Sequence, residues 1–276
     1  MAPNAYYQPQ SVDSALDLIA QHGPSLLIIA GGTLAMPLIN DGVSFPDAVL
    51  SLRHTGLDYI RSEEGYVALG AAVRMSQVIA WDGIPMLSQA ARQIGGWAIR
   101  NMATAGGNLF APPPAGDFAV ALLALDARLR IVSPSGERKL PLRDFYTGFM
   151  TTALAPAELV TEIQVPWPEG RTAYTKVGRR HANTPAIVTV AVRLVERRGI
   201  VTEARIALNG VGRHPFRATE AEACLVGEKL GGVTIDQAAE AAMAECEPIT
   251  DAISTGWYRR RMAGVYTRRT LDSLVA

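Results

Sequence analysis

The sequence predicts an α+β fold in two domains, about residues 1–170 and 171–276, and three observations carry that prediction. The chain has 276 residues, more than one compact core usually needs. Over the first fifty residues short apolar runs alternate with helical patterns, whereas after residue 170 a block of strands precedes a block of helices. Between these regimes stands Pro166-Trp167-Pro168, which fits neither a helix interior nor a central strand and marks the boundary.

The first domain divides again near residue 55, into a small parallel α/β unit and an antiparallel-rich α+β unit. Ser11 can cap a helix in which Val12, Ala15, Leu16 and Ile19 share a face, and Gly23-Pro24 stops it. Leu26 to Ala30 is wholly apolar and too short for a helix, so it reads as a buried strand. Gly31-Gly32-Thr33 follows, then a short segment interrupted by Pro37, a turn at Asn40-Asp41-Gly42 and a second apolar strand at Ala48 to Leu52.

In the second unit, Tyr66 to Val73 reads as a strand, Pro85 to Ile94 as a helix and Trp97 to Asn108 as a glycine-rich irregular stretch. Asp117 opens an apolar helix, Phe118 to Leu125, after three consecutive prolines. Arg128 to Val132 and Arg138 to Leu140 flank Pro134-Ser135-Gly136 in a hairpin pattern, and Leu159 to Val165 is a further strand. Beyond the boundary, strands are expected at Ala173 to Val177, Ala186 to Val195 and Val201 to Leu208, then helices near Thr219 to Val226, Thr234 to Glu247 and Trp257 to Leu274. This second domain is therefore a small antiparallel sheet with helices after it.

Composition excludes several classes of function. Lysine plus arginine equals aspartate plus glutamate, so nothing favours a phosphate-backbone binder, and no nucleic-acid partner is expected. The polar N-terminus lacks a basic start and an apolar core, and no apolar run approaches the ~20 residues of a membrane span, so a cytoplasmic chain is expected. Cys224 and Cys246 are too few for an iron–sulfur cluster, which takes four thiolates, and read as small core residues. His22, His54, His181 and His214 are scattered without metal-ligand spacing.

Four features could carry chemistry, each beside a plainer reading. Ala30-Gly31-Gly32-Thr33-Leu34 ends a buried strand with paired glycines whose amides could hold an anion, and alone it is also an ordinary turn. Thr104-Ala105-Gly106-Gly107-Asn108 repeats the pattern, and two such loops could grip a pyrophosphate from opposite sides. Neither matches Gly-x-Gly-x-x-Gly or Gly-Lys-Ser/Thr. Asp117 is either an acceptor for ribose hydroxyls or a helix cap, and Lys176 either reaches a ligand or is a solvated strand lysine. The arginines of the last helix suggest a solvated face or a subunit contact. No nucleophile–base set or acid–base carboxylate pair is evident, which suits a chain whose chemistry belongs to a cofactor.

Together these residues resemble a known family, the FAD-binding medium subunits of molybdenum hydroxylases, the carbon monoxide dehydrogenase and xanthine dehydrogenase family. Leu27 to Pro37 resembles the family's first FAD loop, and Ile99-Arg100-Asn101-Met102-Ala103-Thr104-Ala105-Gly106-Gly107-Asn108 its second. Asp117 falls where the family has an aspartate after a proline-containing segment, and Tyr7-Gln8-Pro9 and Tyr258-Arg259 to Arg268-Arg269 match its edges. The resemblance implies an FAD domain in two subdomains, with Ala30 to Leu34 and Thr104 to Asn108 at the pyrophosphate, Asp117 at the adenosine end and Lys176 near the FAD. It also implies a large subunit with a molybdenum cofactor and a small one with [2Fe–2S] clusters, in a dimer of heterotrimers. Electrons would pass from those clusters through FAD to an external acceptor, with no catalytic residue in this chain. A self-contained flavin oxidase or reductase, and a flavin-free scaffold subunit, are the alternatives.

Three departures from the family stand out. Leu34 replaces a common serine or aspartate, Ala111 to Gly116 is richer in proline, and Asn183-Thr184 stands where carbon monoxide-oxidising members carry an aromatic. The last counts against carbon monoxide as the substrate.

Overall fold

A computed structural model describes residues 3–180 and 183–275, so His181 among the scattered histidines lies outside the described residues. The first unit contains β1 (Ala5–Tyr7), α1 (Val12–His22), β2 (Leu26–Ile29), α2 (Ala35–Asn40) and β3 (Ala48–Ser51). Its three strands pair in parallel in the order β1-β3-β2. Ser11 caps α1 by accepting from the Ser14 N–H, and Ala15, Leu16 and Ile19 go into the core, as their spacing predicts. Strand β1 and helix α2 go beyond the sequence reading, because three residues are too few to show a period and Pro37 sits in the first turn of α2, where its missing N–H costs nothing.

The second unit runs β4 (Ile60–Glu63), β5 (Tyr66–Gly70), α3 (Met75–Trp81), α4 (Pro85–Arg92), α5 (Trp97–Arg100), α6 (Ala105–Leu109), α7 (Asp117–Ala124), β6 (Arg128–Ser133), β7 (Gly136–Pro141), β8 (Tyr146–Gly148), β9 (Thr151–Thr152) and β10 (Leu159–Pro166). An antiparallel sheet of order β4-β5-β10-β6-β7 forms its frame. The segment expected to be irregular, Trp97 to Asn108, instead holds the short helices α5 and α6. Thr104 supplies the reason for the second of these: its hydroxyl accepts the Gly107 N–H at 3.1 Å and so starts a helix through two glycines.

The third unit comprises β11 (Arg171–Gly178), β12 (Ala186–Arg197), β13 (Ile200–Asn209), β14 (Phe216–Arg217), α8 (Thr219–Ala223), α9 (Gly232–Ala244) and α10 (Gly256–Asp272). Its four strands are antiparallel in chain order. One face of this sheet packs on α8, α9 and α10 through Val188, Val190, Val192, Ile206 and Leu208. Tyr174, Ala191 and Ala207, from the other face, join the core around α7.

Every residue of α7 is buried, including Asp117. The sheet β11-β12-β13 holds both of its ends. At its start Asp117 meets Lys176 and Thr189. Past its end Asp126, in the left-handed conformation, pairs with Arg193, Arg205 and Arg217, and Arg193 also donates to the Ala124 carbonyl. An acid at the N-terminus and arginines at the C-terminus suit the helix dipole.

The C-terminal helix corrects a second expectation. Of its arginines, Arg259 is only 1% exposed and donates to the carbonyls of Ala186, Ile187 and Gly210 while pairing with Asp251 at 2.9 Å. It pins β12 and the turn after β13 to α10 rather than facing solvent. Cys246 is buried, and burial pushes its thiol up to about 12, which agrees with a core role. Among the described residues no helix is long and apolar enough to cross a membrane, and no group of three His, Cys, Asp or Glu could hold a metal.

Candidate cofactor cavity

Strand β2 delivers its last residues to a left-handed turn at Gly32, with φ of +70°, and the chain enters α2. Among the described residues the backbone N–H groups of Gly31, Gly32, Thr33 and Leu34 donate to no protein acceptor, and all four residues line one cavity. Unpaired donors at a turn and at the start of a helix suit an anion. Leu34 adds no side-chain cap to α2.

The Gly31 position has a different requirement from the one the sequence suggests. A Cβ there would lie 2.0 Å from the Met102 carbonyl oxygen, so the approach to the second loop crosses directly over Gly31. Its missing side chain lets the two loops pack against each other.

The second loop also differs from expectation. The N–H of Ala105 donates to Val73, that of Gly106 to Ala71, that of Gly107 to the Thr104 hydroxyl and that of Asn108 to Thr104. These four amides are therefore occupied, and an amide nest over residues 105–108 is not what the structure builds. Ala105 and Gly106 are buried under β5 and do not reach the cavity, whereas Thr104, Gly107 and Asn108 do. Asn108 spends its side-chain oxygen on the Phe118 N–H at 3.0 Å, tying α6 to the first turn of α7.

Asp117 and Lys176 stand at the same place in the cavity wall. Their charged atoms are 2.7 Å apart, and Lys176 also donates to the Gln93 carbonyl at 2.9 Å. Lys176 is thus no solvated strand lysine, and Asp117 is not the cap of α7, because Gly116 occupies that position. Asp117 accepts from Thr189 at 2.6 Å through its other oxygen. Both carboxylate oxygens of Asp117 are thus engaged by residues of the C-terminal sheet. Burial first, and then the Asp117 charge, push the Tyr174 phenol well above its ordinary value, and this hydroxyl donates to the Asp117 carbonyl.

Ala30 to Leu34, Thr104, Gly107, Asn108, Asp117 and Lys176 thus share one cavity of about 510 Å³. Ile94, Ile99, Phe110 and Met150 supply an apolar lining that no motif signals. Asn183 and Thr184, noted in the sequence as a departure, form part of the same wall with Pro185. A second cavity of about 570 Å³ adjoins it across Gly31, Gly32 and Thr104 and adds Arg53, His54, Asp58 and Arg74. These residues come from separate segments, so the sequence shows no pattern for them.

A space of this volume, apolar along most of its lining, with unpaired amide donors on one wall and a charged pair on another, suits a dinucleotide bearing a ring system and a pyrophosphate. Comparison with known proteins agrees. Residues 2–168 match the FAD binding domain in molybdopterin dehydrogenase, and residues 172–274 match the CO dehydrogenase flavoprotein C-terminal domain. The chain is 32% identical to the glyceraldehyde dehydrogenase medium chain of Sulfolobus acidocaldarius, over 98% of each. It is 33% identical to the 6-hydroxypseudooxynicotine dehydrogenase complex subunit alpha of Paenarthrobacter nicotinovorans, over 96% of this chain and 92% of that one. A chain of the reconstituted CO dehydrogenase from Oligotropha carboxidovorans superposes with a TM-score of 0.94 at 31% identity, over 99% of each chain. The protein belongs to the FAD-binding medium subunits of the molybdenum hydroxylases and is an oxidoreductase subunit.

Proposed function

We infer that this chain is the electron-transfer subunit of a molybdenum-dependent dehydrogenase, taking electrons from the [2Fe–2S] clusters of a small partner and delivering them through FAD to an external acceptor. The observation that carries the reading is the shared cavity, with the free amides of Gly31 to Leu34 on one wall and the Asp117–Lys176 pair on another. Bound FAD supplies the redox chemistry. The chain's own residues bind and shield it. The Gly31 to Leu34 amides and the Thr33 hydroxyl hold the pyrophosphate, with Thr104, Gly107 and Asn108 facing them. Asp117 and Lys176 set the charge at the buried wall, and Ile94, Ile99 and Phe110 exclude water.

The same surface supports the existence of partners. Leu34, Leu38, Ile99 and Met150 at the first cavity, and Met36 and Met102 at the second, are all exposed. Apolar side chains gathered around a cofactor cavity suit a surface that another chain covers. The proposed assembly is a dimer of heterotrimers in the cytoplasm, with a large subunit carrying the molybdenum cofactor and a small subunit carrying the clusters. The named relatives act on chemically different substrates. Substrate choice is accordingly assigned to the large partner.

The test is purification from the native source, with reduction of the clusters followed by flavin absorbance. One flavin per medium chain, bleaching after the clusters are reduced, is expected. Substrate turnover by this chain alone would instead favour a self-contained flavoenzyme, and a flavin-free complex would leave a scaffold.

A further inference from the structure

We propose that Thr189 and Asn209, which belong to the C-terminal sheet and do not line the cavity, are positioning residues for the FAD site. Lys176, Thr189 and Asn209 lie opposite one another on β11, β12 and β13, forming one rung across three strands. Residues paired in this way present their side chains to the same face. All three reach the segment that runs from the proline loop into α7. Asn209 donates to the carbonyls of Pro114 and Ala115 at 3.1 and 2.8 Å. Thr189 donates to one oxygen of Asp117 at 2.6 Å, and Lys176 pairs with the other at 2.7 Å. Pro114, Ala115 and Asp117, three residues of the segment that leads along the cavity into α7, are thus held by one rung.

A purely packing role does not explain this choice of residues. The neighbouring rung on the same face, Tyr174, Ala191 and Ala207, packs on α7 mainly through apolar atoms. Thr189 and Asn209 are fully buried, and a buried polar group costs stability unless it is hydrogen-bonded. Asn209 even leaves its side-chain oxygen without a partner among the described residues. The fold bears that cost while its amide nitrogen holds two carbonyls beside the cavity wall. Thr189 fixes the Asp117 carboxylate and, through it, the Lys176 ammonium. Both charged groups line the cavity, so their placement sets the field felt by a bound flavin.

The inference rests on the FAD reading above. The test uses the chain assembled with its partner subunits, stripped of FAD and titrated back. Flavin fluorescence gives the dissociation constant, and a redox titration gives the flavin midpoint potential. Thr189→Val removes the hydroxyl at nearly constant size. The expected result is FAD binding weakened about tenfold together with a shifted potential, and Thr189→Ser restores both. Thr267→Val deletes another buried hydroxyl, on α10 and without a partner among the described residues, and is expected to leave both quantities unchanged.

Wild-type affinity and potential in Thr189→Val overturn the proposal. So does weaker binding at an unmoved potential, the signature of a packing defect alone, and so does a failure of Thr189→Ser to restore them. If Thr189→Val does not assemble, Asn209→Ser is judged by the same two quantities and the same outcomes. A wild-type complex that takes up no FAD overturns the functional reading and this inference together. Normal uptake with unresponsive variants overturns the inference alone.

Discussion

Lys176 and Asp117 lie 2.7 Å apart with 7% and 6% of their side-chain surfaces exposed, joining the C-terminal sheet to the first turn of α7. Charges this buried are tolerated because each is satisfied: Asp117 by Thr189 and Lys176, Lys176 by Asp117 and the Gln93 carbonyl. The pair makes one wall of the cavity out of two sequence units 59 residues apart. Breaking it therefore has consequences for both stability and binding.

Asp117→Asn or Lys176→Met alone leaves an uncompensated buried charge and is expected to lower stability by about 3 kcal/mol. The double variant removes both charges and is expected to lose less than the sum of the two. Chemical denaturation of all four proteins measures the coupling, and strictly additive losses would show that the two groups do not act as a pair.

Gly31→Ala places a Cβ 2.0 Å from the Met102 carbonyl oxygen, so the two loops must separate. The expected outcome is a destabilisation of about 2 kcal/mol and a reduced flavin-to-protein ratio. Gly96→Ala meets nothing within 4 Å and serves as the control, with full flavin expected. Equal flavin content in the two variants would refute the close crossing of the loops.

Arg259→Lys keeps the charge but loses the planar fork that reaches three carbonyls and Asp251. A loss of about 3 kcal/mol is expected in urea unfolding. A near-neutral result would mean that a lysine can serve these acceptors, contrary to the geometry described.

The acid limb of the stability profile is expected to depend on Asp126. Burial raises its carboxyl, but the Arg205 hydrogen bond and the charges of Arg217, Arg205 and Arg193 outweigh this and hold it below the usual range. A depressed folded-state pKa stabilises the protein above the unfolded-state value of about 3.9, and that contribution is lost as pH falls through the folded value. Urea midpoints measured from pH 6 downward should therefore fall below about pH 4, less steeply in Asp126→Asn. Identical slopes would remove Asp126 from the acid response.

Much of the fold was legible because its signals are local. Ser11 opens α1, the apolar runs become β2, β3, β10, β12 and β13, and Pro134-Ser135-Gly136 turns the β6–β7 hairpin. Elements of two to four residues, such as β1, β9, β14 and α5, escaped notice because they are shorter than the period that would reveal them. Of the second glycine loop, Thr104, Gly107 and Asn108 lie in the cavity wall, and its helical form was hidden because Thr104 overrides the poor helix propensity of the glycines that follow it.

By itself the sequence determined the order of the longer elements and the positions of the two glycine segments, because turn chemistry and hydrophobic period depend on residues within a few positions of one another, and the resemblance of those segments pointed to the family. Only the tertiary structure decided what Lys176, Thr189, Asn209 and Arg259 do. Each is an ordinary strand or helix residue until strand register and burial place it. Lys176, Thr189 and Asn209 then meet one another across the sheet, and Arg259 meets carbonyls more than forty positions away. In a low-dielectric interior a polar group must find a partner, and which partner it finds is a property of the packed whole.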